Sequence, residues 1–586
     1  MKKTLSLIVV LCMLASMIVL PTFAAEATVG SVAADYKPAE GAVAITDAAG
    51  FAAMAADGNY YLANDITLDA TWNAGAAVSS EYADNTAFTG TFAGNGKTIT
   101  TTAPLFANLQ GTVKNLTVEG TIADTTLHSA NISMWSKGVA TVDNVYTKAT
   151  INAAKSAGGI FGYCATGSTI TITNCQNDAN ITCSDQVGGM IGYIQDDVVT
   201  VINCVNKGDL TTANYGAGIV GRFGRDKGAA PDTIGTFTNC VNYGKVVGGK
   251  GQTAGILGYL VGDAVLTDCV NYGDISNNTS TAGGIFGAHG NYDGTTAITI
   301  KSCINYGKVD APAVVGGIAG RLGRGSEYAE RSYRIENCIN YGDVSATATA
   351  GYTATIYAAG IAGYAYGGDG TNPNGVVNSV NAGNVTVDST NSTGITYVAG
   401  LVSYVNSSHF ETKNNINAGN ISLTGNATTL TLTVYNKNAE NYNTANNYSV
   451  AIEGIAVALT GETPAEAATF ATAVPAEQIS NGTVAGLINE AAGATIYYQA
   501  VGTDKTPVFT PAEDGSNSIV KNDDGSFGNP VKEPETSEPA PETSEPAPET
   551  TEPPVSGETG DSAIIFALLA IISIAGVAIV AKKKEN

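Results

Sequence analysis

Six arginines are the residues best suited to grip a partner: Arg222, Arg225, Arg321, Arg324, Arg331 and Arg334, the only arginines in the 586-residue chain. They fall in two runs, GRFGRDKG from Gly221 and GRLGRGSEYAERSYR from Gly320. A guanidinium is a planar fork that pairs bidentately with carboxylate, sulfate or phosphate. His289, Tyr292 and Asp293 occupy the equivalent place in a stretch between the two runs. Tyr163, Tyr193, Tyr259, Tyr364 and Tyr404 recur at one spacing beside them. Such a set predicts contact with an anionic polymer, for example an acidic glycan, whose sugar rings would stack on tyrosine. The competing reading is local pairing, in which Asp226, Glu327, Glu330 and Glu336 neutralise the arginines within their own loops.

Residues fit for catalysis are harder to find. Asp196-Asp197 is the nearest carboxylate pair, yet adjacent residues of a strand face opposite ways, which spoils a paired acid and base. His128 and His409 stand alone. There is no nucleophile triad, no phosphate loop, no CxxC and no zinc spacing, so neither metal nor cofactor is expected. A non-catalytic protein is the preferred reading. A polysaccharide-degrading lyase or hydrolase and a passive surface spacer are the alternatives.

The residues above hang on a repeat. NCVNYGKV from Asn239 returns as DCVNYGDI from Asp268, SCINYGKV from Ser302 and NCINYGDV from Asn337, with weaker copies from Asn174, Asn203, Asn378 and Asn414. A second phrase precedes each copy, such as AGGIFGY from Ala157 and TAGILGY from Thr253. Cys175, Cys204, Cys240, Cys269, Cys303 and Cys338 are spaced by 29, 36, 29, 34 and 35 residues. A period of that length made of short strand-like phrases, with no room for a crossover helix, predicts stacked coils of an all-β parallel β-helix. Two or three strands per coil are expected. Equivalent residues then stack roughly 4.8 Å apart. Six cysteines form one inward column, and Asn206, Asn242, Asn271, Asn305, Asn340, Asn381 and Asn417 another. Tyr243, Tyr272, Tyr306 and Tyr341 stack beside them, and Gly208, Gly244, Gly273, Gly307 and Gly342 are expected to supply φ > 0 at the corner. Parallel neighbours present their Cβ vectors side by side, which suits disulfides poorly, so the column reads as buried thiols; disulfides between rungs are the alternative. Insertions collect mainly at one corner, where the arginines are expected to gather. Asp209, Asp274 and Asp343 alternate with Lys245 and Lys308 as if compensating charge between rungs.

These phrases resemble the GLUG-motif repeats of bacterial cell-surface proteins over about residues 100 to 425. The resemblance implies a right-handed parallel β-helix and an adhesin-like role. FTGTFAGNGKTI from Phe88 and VKNLTVEG from Val113 look like entry coils of that family, and 459–512 resembles its closing segment.

The flanks predict how the rod is displayed. Residues 1–25 read as a secretory signal, carrying Cys12; Cys164 and Cys183 stand outside the ladder. Residues 28–100 read as an N-terminal cap and entry coils, with a short helix near 44–56 capped by Asp47. Coils are expected over 101–458, and a C-terminal cap over 459–512 with helices at 464–470 and 476–490. An acidic Pro/Thr/Glu-rich linker follows at 513–557. The last part, 558–586, has an apolar run at 563–581 long enough to span a bilayer, then three lysines. Thr559-Gly560 resembles a sortase sorting signal lacking its usual leucine and proline, and the expected cleavage falls between them. The chain is therefore expected to be secreted and held at the cell wall or membrane, as a monomer facing an extracellular glycan or host matrix. Its net charge of −24 leaves no basic face for nucleic acid.

Overall fold

The chain is seen in a computed structural model that describes residues 29–530, apart from 35, 125–126, 226–232, 291–295, 324–330, 367–373, 407–409, 426–428, 437–442, 456–458, 461–462 and 465–470. The expected signal, most of the linker, Thr559, Gly560 and the apolar run at 563–581 lie outside the described residues. So do Arg324, Tyr292 and Asp226. Among the described residues, no helix is long and apolar enough to cross a membrane.

The repeat folds as a parallel β-solenoid of about eleven turns. Each turn has five short strands rather than two or three. In one coil, β1 (Ile234–Thr238), β2 (Val241–Asn242), β3 (Val246–Gly248), β4 (Gln252–Ala254) and β5 (Leu257–Leu260) follow one another. β1, β2 and β3 each pair in parallel with their counterparts in the next coil, and so do β4 and β5. On β5 the alternation is broken: the inward positions lie three apart, as Phe161 and Cys164 or Val220 and Phe223 do, and one inner column reads Phe161, Ile191, Val220, Leu257, Phe286 and Ala319, all buried.

The corner between β1 and β2 corrects one expectation. The left-handed residue is the one before each cysteine, not the glycine after each asparagine. Asn174, Asn203, Asn239, Asp268, Ser302, Asn337, Asn378 and Asn414 have φ between 48 and 57°. Asn and Asp tolerate this region because their short polar side chains bond locally. The glycines are there for space: a Cβ on Gly244 would lie 1.9 Å from the Gly208 carbonyl oxygen of the adjacent coil.

Two amide rows run along the axis. In the buried inner row Asn206 Nδ2 donates to Asn242 Oδ1, Asn242 to Asn271 and Asn271 to Asn305, at 2.7–2.8 Å. The row continues through Asn340 and Asn381 to Asn417 and begins at Asn177. Each amide also donates to the carbonyl two residues on, that of Ala179 for Asn177 and of a glycine for the others, as Asn271 does to Gly273 at 2.8 Å. The outer row is built from the left-handed residues, and it points the other way: Asn239 donates to Asn203 at 2.9 Å and Asn203 to Asn174 at 3.1 Å. The eight described cysteines are buried, unbridged thiols, and burial pushes those of Cys204, Cys240 and Cys303 well up from the ordinary thiol range. The aspartate–lysine alternation is a backbone device: Asp209 accepts from the Lys245 backbone N–H at 2.9 Å, and Asp274 from that of Lys308 at 3.0 Å.

The N-terminal end is closed by α1 (Ala48–Ala52), whose N-cap Asp47 accepts from the Gly50 N–H at 2.8 Å. Phe51 seats edge-on against Phe92, 5.4 Å between ring centres. At the other end, the expected helix at 476–490 is two, α2 (Ala476–Ser480) and α3 (Thr483–Ala492), parted at Gly482 with φ 84°. They bury Ile479, Val484, Ile488 and Tyr497 against Ile339, Val380 and Ile416. Those three are outward residues at the β2 position, so this segment lies along the flank of the late coils. Pro464, the first residue of the helix expected at 464–470, belongs to the strand Thr463–Pro464, and 465–470 lie outside the described residues. The cap also runs past residue 512. Asn529 donates to the Gln499 and Ser518 carbonyls at 2.7 and 2.8 Å, and a hairpin of β6 (Val520–Lys521) and β7 (Phe527–Gly528) closes it.

Candidate functional site

The β5 position carries Arg222, Arg321 and a set of tyrosines in one outward column, in which Tyr163, Tyr193, Arg222, Arg321 and Tyr364 are half-buried while Trp135, Tyr259 and Tyr404 are buried. Register pairs Asn108 with Trp135, Trp135 with Tyr163, Tyr163 with Tyr193, Tyr193 with Arg222 and Arg222 with Tyr259. The column goes on through Ala288 and Arg321 to Tyr364, whose ring stacks on Tyr404 at 5.4 Å and 7°. From Trp135 to Tyr404 is eight rungs, roughly 38 Å. Three rungs separate Arg222 from Arg321, roughly 14 Å.

The two ends of the stripe are aromatic clusters. At one end, His128 lies against Trp135 and Tyr163, 4.6 and 4.9 Å between ring centres. At the other, Tyr357, Tyr397 and Tyr435 from the neighbouring strands join Tyr364 and Tyr404. Sequence reasoning set His128 aside as isolated, which its contacts with Trp135 and Tyr163 correct, and missed Tyr357, Tyr397 and Tyr435. The tyrosines of the β4 phrase, Tyr215, Tyr357 and Tyr397, break no spacing rule; they simply lie one corner away from the column that was read.

In the middle, the Arg222 guanidinium sits among three tyrosine rings, 5.1 Å from Tyr193, 5.0 Å from Tyr215 and 5.4 Å from Tyr259. The ring faces attract the cation, and they fix its plane. Arg222 Nε donates to the Gly224 carbonyl at 3.3 Å, and Arg321 Nη2 to the His289 carbonyl at 3.4 Å. Burial and neighbouring phenols raise the pKa values of Tyr163, Tyr364 and Tyr404 well above the usual tyrosine range, so these hydroxyls stay protonated.

The other expected site residues separate from this pair. Arg225 pairs with Asp196, whose side chain is wholly buried. Arg334 lies on the β1 strand Arg331–Glu336 and is held by Glu411 at 2.6 Å and Glu336 at 3.4 Å; Lys413 joins Glu411 at 2.8 Å. Arg331 opens the same strand, paired with Thr296. The arginines thus flank the corner from two strands instead of meeting on it; pairing within the loop holds for Arg334 with Glu336, whereas Arg225 pairs with Asp196 and Arg334 also with Glu411, partners from other coils that sequence proximity did not indicate. His289 is an inward residue. It pairs in register with Leu260, one position past the outward Ala288, and is buried with its ring 5.6 Å from Tyr333. A surface ligand does not reach it.

Asp196 and Asp197 do not alternate across a strand. They form the turn between Ile191–Ile194 and Val198–Ile202, and both are buried. Asp197 Oδ1 accepts from the Ser168 N–H at 2.6 Å, while Asp196 Oδ1 and Asp197 Oδ2 find no hydrogen-bond donor. Desolvation raises the Asp197 carboxyl to about 7. Among the described residues, no group of three His, Cys, Asp or Glu could hold a metal ion.

A parallel solenoid with a lateral Tyr/Arg stripe is thus the class of molecule defined here. No family model matches the chain, and no curated protein matches it. A solved Bacteroides ovatus structure, provisionally described as an immunoglobulin A1 protease, is similar over 52% of this chain and 75% of its own, at 18% identity and a TM-score of 0.28. At that level of likeness, no functional argument is drawn from it.

Proposed function

We propose that this protein is a non-catalytic surface adhesin of the GLUG-repeat kind that holds an anionic polysaccharide along the stripe from Trp135 to Tyr404. The observation that supports this reading is the seating of Arg222 among Tyr193, Tyr215 and Tyr259, with Arg321 in the same column. A caged guanidinium loses little side-chain freedom on pairing with a sulfate or carboxylate. Two such groups roughly 14 Å apart match charges spaced along one extended chain rather than a compact ion. Half-buried phenols on either side of the pair, Tyr193 before Arg222 and Tyr364 after Arg321, add hydroxyl donors. Secretion, followed by attachment at Thr559-Gly560 or through the apolar run behind it, would present this face to a host or matrix glycan.

The test is binding of the full chain to immobilised sulfated and uronic-acid glycans. The double variant Arg222→Ala/Arg321→Ala is expected to lose at least tenfold in affinity, about 1.4 kcal/mol, with an unchanged melting temperature. Undiminished binding by a folded double variant rejects the stripe. Release of reducing ends or unsaturated sugars by the wild type rejects the non-catalytic reading.

A further inference from the structure

A second site lies on the flank, independent of the arginines. At the position after the inner asparagine, Tyr243, Tyr272, Tyr306 and Tyr341 form a ring stack. Ring centres are 4.8, 4.8 and 5.1 Å apart, with interplanar angles of 3, 2 and 11°. Three of these rings are 39–43% exposed. The same position in the next two coils is Ala382 and Ala418, in register with Tyr341 through the asparagines beside them. The backbone does not change at that step: Tyr341, Ala382 and Ala418 each donate at 2.7 Å to the asparagine carbonyl of the preceding rung. The stack therefore stops for want of rings, not for want of a column.

The vacated column is roofed. α2 and the 503–508 loop of the cap stand over it, bounding a half-open cleft of about 710 Å³. Tyr341, Ala382 and Ala418 line it from the coils, and Glu477, Asp504 and Lys505 from the cap. The Tyr341 hydroxyl is engaged by the Thr506 side chain, which fixes the ring whose far face looks along the column. That volume is within the range of small-molecule sites, and the lining is an apolar floor with a few polar groups on the wall.

We infer that this cleft binds an uncharged pyranose ring of a glycan, stacked on Tyr341 in the place where the next tyrosine would stand. A pyranose has an apolar C–H face and a rim of hydroxyls. The C–H face suits the negative face of an aromatic ring, and the rim suits the carboxylates and ammonium of the wall. Glu477 and Lys505 are exposed at the edge, and Asp504 Oδ2 accepts from the Ala500 N–H at 2.7 Å, so the wall is polar and hydrated, an edge that a plain aromatic side chain would not use and a ring of hydroxyls would. Two carboxylates against one ammonium make the wall net negative, which disfavours sialic or uronic acids. The cleft and the stripe thus select uncharged and anionic sugars respectively.

The experiment uses the full chain and saturation-transfer NMR with methyl β-glucopyranoside, methyl β-galactopyranoside, methyl α-mannopyranoside and N-acetylglucosamine at millimolar concentration, beside N-acetylneuraminic acid and phenol. At least one neutral sugar is expected to bind. Ala382→Tyr, which extends the stack into the slot, and Ala418→Tyr should each weaken it at least tenfold without lowering the melting temperature. Arg222→Ala/Arg321→Ala should leave it unchanged. The inference is overturned if no neutral sugar binds, if both filled variants bind as the wild type does, if the arginine variant loses the sugar, or if N-acetylneuraminic acid or phenol is preferred.

Discussion

Asp197 shows how one residue can tie this rod to pH. Its carboxyl is buried at a turn, beside Asp196 and its partner Arg225, with Tyr163 and Cys164 nearby, and its value rises from 3.8 to about 7 because burial penalises the charged form. The folded state therefore holds a proton there that the unfolded chain releases above about pH 4. Stability from this group is fully present below 3.8 and is lost as pH climbs to about 7, the direction linkage requires when the native form binds more protons. Asp197→Asn keeps the acceptor for the Ser168 N–H and removes the charge. It should be more stable than wild type above pH 7, by a few kcal/mol, and little different near pH 4. Melting temperature against pH decides this; parallel curves for the two proteins would contradict it. The sequence could not have supplied the environment. Asp196-Asp197 reads as a strand pair facing opposite ways, but the residues form a turn, and burial at a turn follows from neighbouring coils. His289 misled for a related reason: a one-residue offset from Ala288 sends a side chain to the opposite side of the sheet.

At the scale of the element, the corner between β1 and β2 is where the repeat is enforced. Asn271 accepts from Asn242 and donates to Asn305 and to the Gly273 carbonyl. Asn271→Ala would leave Oδ1 of Asn305, the Gly273 carbonyl and one N–H of Asn242 short of partners inside the rod. A loss of about 2–4 kcal/mol is expected, since buried polar groups cost most when one partner is deleted; urea denaturation measures it. The asparagine and tyrosine columns were legible because their spacing follows the period and identical neighbours suit each other. The left-handed position was not. Glycine is the usual residue there, but here local bonding by Asn and Asp holds that place, and the glycines answer a close approach between backbones that no single coil displays.

On the scale of the whole molecule, the core is one continuous set of columns from Ile45 to Val434, with the eight described thiols buried within the rod. In the native protein these should resist iodoacetamide at pH 8 and become fully alkylated in urea, as read by mass spectrometry; rapid native labelling would contradict the packing described. Reductant should not change the melting temperature. The overall architecture was legible from spacing alone, because a solenoid repeats its contacts as faithfully as its text. What escaped was everything set by non-repeating partners. The late segment lies on the flank and reaches Pro530 because Ile339, Val380 and Ile416 offer an outward apolar row, and a row of outward residues looks the same in sequence whether solvent or a cap covers it.

The opposed amide rows have a further consequence. The inner side chains hand their hydrogen bonds toward the C-terminus and the outer ones toward the N-terminus. Aligned dipoles in a single file would sum to partial charges at the two tips, and that burden would grow with every rung added. The outer file runs the opposite way and offsets that polarity wherever asparagine holds its place, but Asp268 and Ser302 interrupt it, so over the middle rungs the inner file keeps a net direction and each rung added there would add to the charge at the tips.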